Sequence, residues 1–315
     1  MSEEKNKYLL LSFDVESDIG SWTQNYTSVD EAVPLILDIL SRKKVCATFF
    51  YTAKAALYNP NILKKVLNAG HEIGCHSYQH ETLGEAEEYI PGDRVILPEE
   101  IQNRLKKATK VIEEISGIKP LSFRAPSFNG SNIMMNTLEK LGYLVDCSYN
   151  IAGDKNIIFP YHPDSNNWDK EGSLNILEIP IAGLMGEPLE NFVIGSRKYI
   201  KNKSKTRSLS GQWPILRLFG PEEFCNYLMK FAEKQIKLKG VADIVIVLHP
   251  WEFLVMPKEL KVIETKIKLE DMLHLNTGKK ALEYLEYSID YFKEQNFNFI
   301  KMKDYSMLWK NNFEK

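Results

Sequence analysis

Long uncharged apolar runs are missing from this chain. Nowhere do eighteen apolar residues follow one another without a charge, which excludes a spanning helix and insertion into a membrane. An export signal is lacking too: the run from Tyr8 to Phe13 is too short, and too soon followed by acids, to be a secretory h-region. A soluble, cytoplasmic protein is therefore expected. Neither charge sign is in excess, with 40 basic against 42 acidic residues and a formal net charge of −2, so nucleic acid and anionic lipid are not expected partners. The four cysteines, Cys46, Cys75, Cys147 and Cys225, form no close pair of redox or metal-binding type, and reduced, mostly buried thiols are the expectation. No strand-to-helix turn carries a glycine-rich phosphate loop, so no nucleotide cofactor is indicated. A fixed-period repeat and an interdomain linker are also absent, and nothing in the sequence sets an oligomeric state.

What is present is enough apolar material for one sizeable core. At 315 residues and 44% hydrophobic content, residues 1–315 are expected to form one domain. Tyr8 to Asp14 reads as a buried strand, and Ser28-Val29-Asp30-Glu31 reads as a capping box opening a helix through about Arg42, with Pro34 close enough to its start to be tolerated. Val45 to Tyr51 is a second strand. Pro60 to Asn68 is a helix ended by Gly70, and a third strand follows. An acidic surface loop is expected from Glu85 to Pro98 and a long helix from Glu99 to Ser116. A strand at Leu121 to Phe123, a helix capped by Ser131 or Asn132, and a strand at Tyr143 to Cys147 come next. From about 150 to 214 the pattern weakens into an elaborated insertion, with only Leu174 to Ile181 strand-like and a basic run at Lys198, Lys201, Lys203, Lys205 and Arg207 that reads as a solvated face, with contact to an anionic substrate as the alternative. Alternation then resumes to the end. Strands alternating with helices predict parallel pairing in one sheet or barrel.

Polar residues interrupt this pattern where a buried sheet does not require them. Asp14, Glu16 and Asp18 alternate directly after the first strand; His76 and His80 follow the third, Arg124 the fourth, and His249 the strand Ile244 to Leu248. If the chain turns helically after Cys75, both imidazoles project from one side about 6 Å apart along the axis, a spacing that suits a divalent cation of the zinc class. The plainer reading is a pair of hydrogen-bonding histidines. Cys75, although adjacent, reads as packing. Four polar strand ends on one side of a parallel barrel describe a pocket holding ligands, a base and an acid.

Six segments, in this order, carry a resemblance: Ser12-Phe13-Asp14, Ala47-Thr48-Phe49-Phe50, Gly70-His71-Glu72-Ile73-Gly74, His76-Ser77-Tyr78-Gln79-His80, Phe123-Arg124-Ala125-Pro126 and Leu248-His249-Pro250. The sequence resembles the polysaccharide deacetylase family, the carbohydrate esterases that include chitin and peptidoglycan deacetylases. The resemblance implies an α/β fold, a distorted barrel of seven to eight mostly parallel strands. It also implies hydrolytic removal of an acetyl group from an N-acetylated sugar by way of a divalent metal, zinc above all. By position, Asp14 matches the general base, His76 and His80 the metal ligands, Arg124 the residue orienting Asp14, and His249 the general acid. The backbone amide of Ser127 is the corresponding oxyanion donor. The family's usual acid after the catalytic aspartate is here Val15, so the third ligand falls to Glu16, with Asp18 in reserve. The aromatic wall of the acetyl pocket is not evident, and Trp251 is the substitute beside His249. Two alternatives stand: an allantoinase-like hydrolase of a non-sugar amide, or a carbohydrate-binding pseudoenzyme disabled by the Val15 change.

Overall fold

The computed structural model describes residues 6–19, 23–84, 94–151, 157–182, 193–194, 197–198, 212–262 and 264–313. Most of the expected acidic loop after Glu85 lies outside these, as do Lys201, Lys203, Lys205 and Arg207 of the basic run. One sheet organises the chain. Its strands are β1 (Asn6–Val15), β2 (Thr48–Tyr51), β3 (Glu72–Cys75), β4 (Ser122–Phe123), β5 (Val145–Asp146), β6 (Leu177–Glu178), β7 (Val241–Leu248) and β8 (Asn298–Phe299). Their order is β7-β1-β2-β3-β4-β5-β6, with β8 beside the start of β1, and every pairing is parallel. This is the expected α/β architecture, a distorted, curled barrel. The strand β6 falls within the weakly patterned stretch and forms one end of the sheet.

The near-continuous apolar character of β1 follows from burial on both faces. Leu9, Leu11, Phe13 and Val15 face an outer layer with Val29, Val33, Ile36 and Leu40 of helix α1 (Thr27–Lys43). Tyr8 and Leu10 face the barrel interior with Phe50, Val145, Val245 and Val247. The far end of that interior is filled by Met302, Tyr305 and Trp309 of the last helix, Met302–Asn312. Buried Glu72 holds that helix in place: its carboxylate accepts from Thr48 Oγ1, Ser122 Oγ and the Lys303 N–H at 2.9, 2.6 and 3.2 Å. Thr48 Oγ1 in turn accepts from the Met302 N–H at 3.1 Å. A carboxylate at this helix N-terminus satisfies amides that have no partner within the helix.

The helix at Pro60–Asn68 has the expected bounds, and helices at Pro221–Lys239 and Lys279–Glu294 carry the resumed alternation. At Asn132–Leu141, Ser131 caps the Met134 N–H and Gly142 ends the helix at φ 74°, a left-handed conformation that favours glycine. Two expectations are corrected at α1. Its N-terminus is not capped by Ser28 in a capping box but by Asp18, whose carboxylate accepts from the Thr27 and Ser28 N–H groups at 3.0 and 3.1 Å. Pro34 lies in the helix interior rather than near its start, where it forfeits one intrahelical hydrogen bond.

Candidate functional site

The C-terminal ends of the parallel strands supply the polar residues: Asp14 is the next-to-last residue of β1, Glu16, His76, Arg124 and His249 each stand one position beyond their strands, and His80 follows in the turn after β3. Here the ladder continues through backbone bonds, from His76 N–H to Tyr51 O at 2.8 Å and from Arg124 N–H to Cys75 O at 3.0 Å. Asp14 points inward because Leu10, Ser12 and Asp14 share one face of β1. The interior packs closely beneath the site. A Cβ on Gly74 would lie 2.5 Å from the Phe50 ring, so glycine there lets β3 approach that ring. The Arg124 guanidinium lies over the Phe50 ring, 4.3 Å from its centroid.

Glu16, His76 and His80 converge, with one donor atom from each lying within 4.8 Å of the others. Glu16 Oε2 is 2.8 Å from His80 Nε2 and 3.4 Å from His76 Nε2. That oxygen is buried and takes no well-aligned hydrogen bond. The Nδ1–H of His76 donates to Arg124 O at 2.8 Å, which leaves its Nε2 lone pair facing Glu16. Burial alone would raise the Glu16 carboxyl, but the imidazoles of His80 and His76 close beside it outweigh burial and hold it well below the usual range. Burial likewise opposes protonation of His80, and Glu16 overrides it, raising that imidazole. Two imidazole nitrogens and one carboxylate form a donor set of the zinc class, and the orphaned Glu16 oxygen is what a cation there would satisfy.

The two histidines do not meet through a helical turn, as their spacing had led us to expect. Ser77 and His80 both have left-handed backbone, φ 64° and 62°, and the turn is held by Glu81, which accepts from the Tyr78 and Gln79 N–H groups at 3.1 and 2.8 Å. Asp18, the reserve ligand, is committed to α1 and does not join the cluster. Cys75 is buried outside it, and all four cysteines are free thiols.

Beside this cluster, Arg124 Nη1 donates to Asp14 Oδ1 at 2.7 Å, a charged hydrogen bond with both groups buried. Arg124 Nε donates to Cys147 O at 3.1 Å, so the guanidinium is held from two sides. The other Asp14 oxygen, Oδ2, lies 4.0 Å from His249 Nε2. His249 Nδ1 meets Glu252 Oε1 at 2.9 Å, and Glu252 Oε2 accepts from Arg217 Nε at 2.6 Å. Burial works against a charged His249; Glu252, Glu16 and Asp14 together prevail and raise its pKa above the ordinary value. Neither Glu252 nor Arg217 was singled out from sequence. The signal for Glu252 was available, since it stands three residues after His249 where a short helical turn brings it back, whereas Arg217 is remote in the chain.

Ser127 is exposed and left-handed at φ 54° inside a short turn, Pro126–Phe128. The Phe128 and Asn129 amides close that turn on Ala125 O and Pro126 O at 3.0 Å each, so the Ser127 amide stands outside the turn's own bonding. Trp251 is only 1% exposed. It lies against His249, ring centroids 5.7 Å apart, with Arg217 on its ring at 5.4 Å, and so buttresses the imidazole rather than presenting an open wall.

Similarity to known proteins can be set against this geometry. A family model described as polysaccharide deacetylase matches residues 2–145, which hold β1 through the start of β5 and every member of the Glu16, His76, His80 and Asp14–Arg124 groups. Over these residues the chain is similar to the polysaccharide deacetylase family. It is 44% identical over 75 residues to a peptidoglycan-N-acetylglucosamine deacetylase of Bacillus cereus, covering 24% of this chain and 27% of that protein. A peptidoglycan-N-acetylmuramic acid deacetylase of Bacillus subtilis is 26% identical over 144 residues, 45% of this chain and 47% of that one. The chain thus spans half or less of the length of these two relatives. In fold it is similar to a polysaccharide deacetylase-like structure from Mycobacterium smegmatis, TM-score 0.60 at 17% identity over 98% of this chain and 92% of the other. It is equally similar to an allantoinase structure, TM-score 0.62 at 16% identity over 100% and 94%. Among the described residues no helix is long and apolar enough to cross a membrane.

Proposed function

We propose that this protein is a metal-dependent hydrolase that removes an N-acetyl group from an acetylated sugar. One observation carries the reading: a Glu16–His76–His80 cluster, an arginine-held Asp14 and a carboxylate-held His249 meet at one end of a parallel barrel. Glu16, His76 and His80 would hold the cation, which when bound supplies electrophilic polarisation of the amide carbonyl and an acidified water. Zinc fits this donor set best.

The chain's own residues supply the proton chemistry. Asp14 engages Arg124 through Oδ1, so Oδ2 is the oxygen left to accept a proton from attacking water, on the side that faces His249. Arg124 fixes that carboxylate in its rotamer through a charged hydrogen bond. The His249 Nδ1–H is committed to Glu252, and its raised pKa favours an imidazolium whose Nε2–H is available to the departing amine. Asp14 Oδ2 and His249 Nε2 are 4.0 Å apart, so base and acid would act as neighbours at one end of the pocket. The Ser127 amide is the backbone donor for the developing oxyanion.

The test is acetate release from N-acetylglucosamine oligomers by zinc-loaded protein, with ureides as the comparison substrate. Asp14→Asn should abolish acetate release while the protein still binds zinc. Wild-type turnover of a ureide alone, or undiminished activity of Asp14→Asn, would refute the substrate class or the base respectively.

A further inference from the structure

Two carboxyl groups near this rim take no part in the chemistry above. Asp146 at the end of β5 and Glu178 at the end of β6 are register partners, and both are fully buried. Glu178 Oε1 accepts the Ser148 and Tyr149 N–H groups at 2.9 and 2.8 Å, and Asp146 Oδ1 accepts the Ser148 hydroxyl at 2.7 Å. The second oxygens, Asp146 Oδ2 and Glu178 Oε2, are buried and reached by no donor among the described residues. As register partners on adjacent parallel strands, the two buried carboxyls are neighbours. Two ionised carboxylates cannot face one another in such a place, whereas one proton between them satisfies both oxygens. Burial pushes Asp146 up to about 6 and Glu178 well above the carboxylate range, against the opposing pull of Arg124 on Asp146. Cys147, Tyr149 and Tyr161 are further ionisable groups around the pair.

Bonds lead from the pair to the site. The Ser148 hydroxyl, its proton given to Asp146, accepts the Ala125 N–H at 2.8 Å, and Cys147 O accepts Arg124 Nε at 3.1 Å. Arg124 in turn gives Nη1 to Asp14 and its carbonyl to His76. We propose that Asp146 and Glu178 hold one proton between them and, through Ser148, fix the Arg124–Ala125 segment against Asp14 and His76. They are positioning residues, and only the kinetic consequence rests on the deacetylase reading.

The experiment compares Asp146→Asn, Glu178→Gln, the double variant and Ser148→Ala. In either single amide variant the new NH2 donates where the shared proton sat, so melting temperature and zinc affinity stay near wild type and kcat stays within about 3-fold. The double variant sets two donors face to face. It should melt below the sum of the singles and bind zinc about 10-fold more weakly, with kcat about 30-fold lower and KM within about 2-fold. Ser148→Ala severs the link to Ala125 and should lower zinc affinity and kcat by about 10-fold, again with KM held. A double variant that melts like the singles overturns the shared proton, and a Ser148→Ala variant with unchanged zinc affinity overturns the link. Melting and zinc binding need no substrate, so a wild-type protein that releases no acetate would remove the deacetylase reading and leave this one standing.

Discussion

Exchanging two acids of the same sequence parity, Glu16 and Asp18, tests which one grips the cation. Glu16→Gln keeps the shape of the side chain but removes the charge that faces His80 at 2.8 Å and His76 at 3.4 Å. A unit charge about 4 Å from another is worth about 4 kcal/mol at the effective dielectric of a protein, so a loss of about 100-fold in zinc affinity is a conservative expectation. Binding linkage makes this visible without substrate. At zinc equal to about 100 times the wild-type Kd the wild-type fold gains about 2.7 kcal/mol, whereas a variant bound about 100-fold more weakly gains about 0.4 kcal/mol. Asp18→Asn should show the converse. Asp18 accepts from Thr27 N–H, Ser28 N–H and the Ser28 hydroxyl, a helix cap whose impairment costs about 1 kcal/mol of stability with or without metal. Urea unfolding of both variants, each with and without zinc, separates the two roles. If Glu16→Gln keeps the zinc-dependent increment and Asp18→Asn loses it, the assigned ligand set is wrong.

Two further expectations concern pH. Glu252→Gln removes a carboxylate that raises the His249 pKa, so the alkaline limb of the kcat profile should move to lower pH, with little change in KM; an unmoved limb would remove His249 from the acid's role. His71 accepts the Ala47 N–H at Nδ1, and burial, with help from Lys301, lowers its pKa to about 4. Because the unfolded chain protonates this ring first, its contribution is fully present above the unfolded value near 6.5 and is lost as pH falls towards 4. Discounted for partial exposure, the loss is about 2 kcal/mol, and His71→Asn should flatten that part of the stability profile measured by urea unfolding.

The strand-end placement of the site was legible because a buried parallel strand must be apolar until it leaves the sheet, so Asp14, His76, Arg124 and His249 stand out against the runs before them. The choice between Glu16 and Asp18 was not. Both have the parity of Asp14, and periodicity cannot tell a residue still aimed along the strand from one past the bend. The bend decides it: Asp18 N–H bonds to Asn25 O, Ile19 turns left-handed at φ 60°, and the Asp18 carboxylate swings to α1. Spacing also misled at His76 and His80, where four residues fit a helical turn but the chain takes two left-handed residues under Glu81 instead. Partners remote in the chain, Arg217 for Glu252 and Glu178 for Asp146, leave no local pattern to read.

Val15 shows how register relocates a ligand without losing it. The ladder of β1 runs one residue past Asp14, pairing Val15 with Tyr51, so the strand's alternation is still in force there. Alternation sends Val15 to the side opposite Asp14, and its side chain is fully buried in the outer apolar layer with Phe13 and Tyr51. An acid at position 15 on this backbone would enter that layer as an unpaired buried charge, a cost of several kcal/mol. The next residue that can turn back towards the His76 and His80 imidazoles is number 16, and it is a glutamate, buried at 2% exposure. A valine after the first aspartate therefore marks where the strand ends, and the missing acid at 15 is no argument for a dead site.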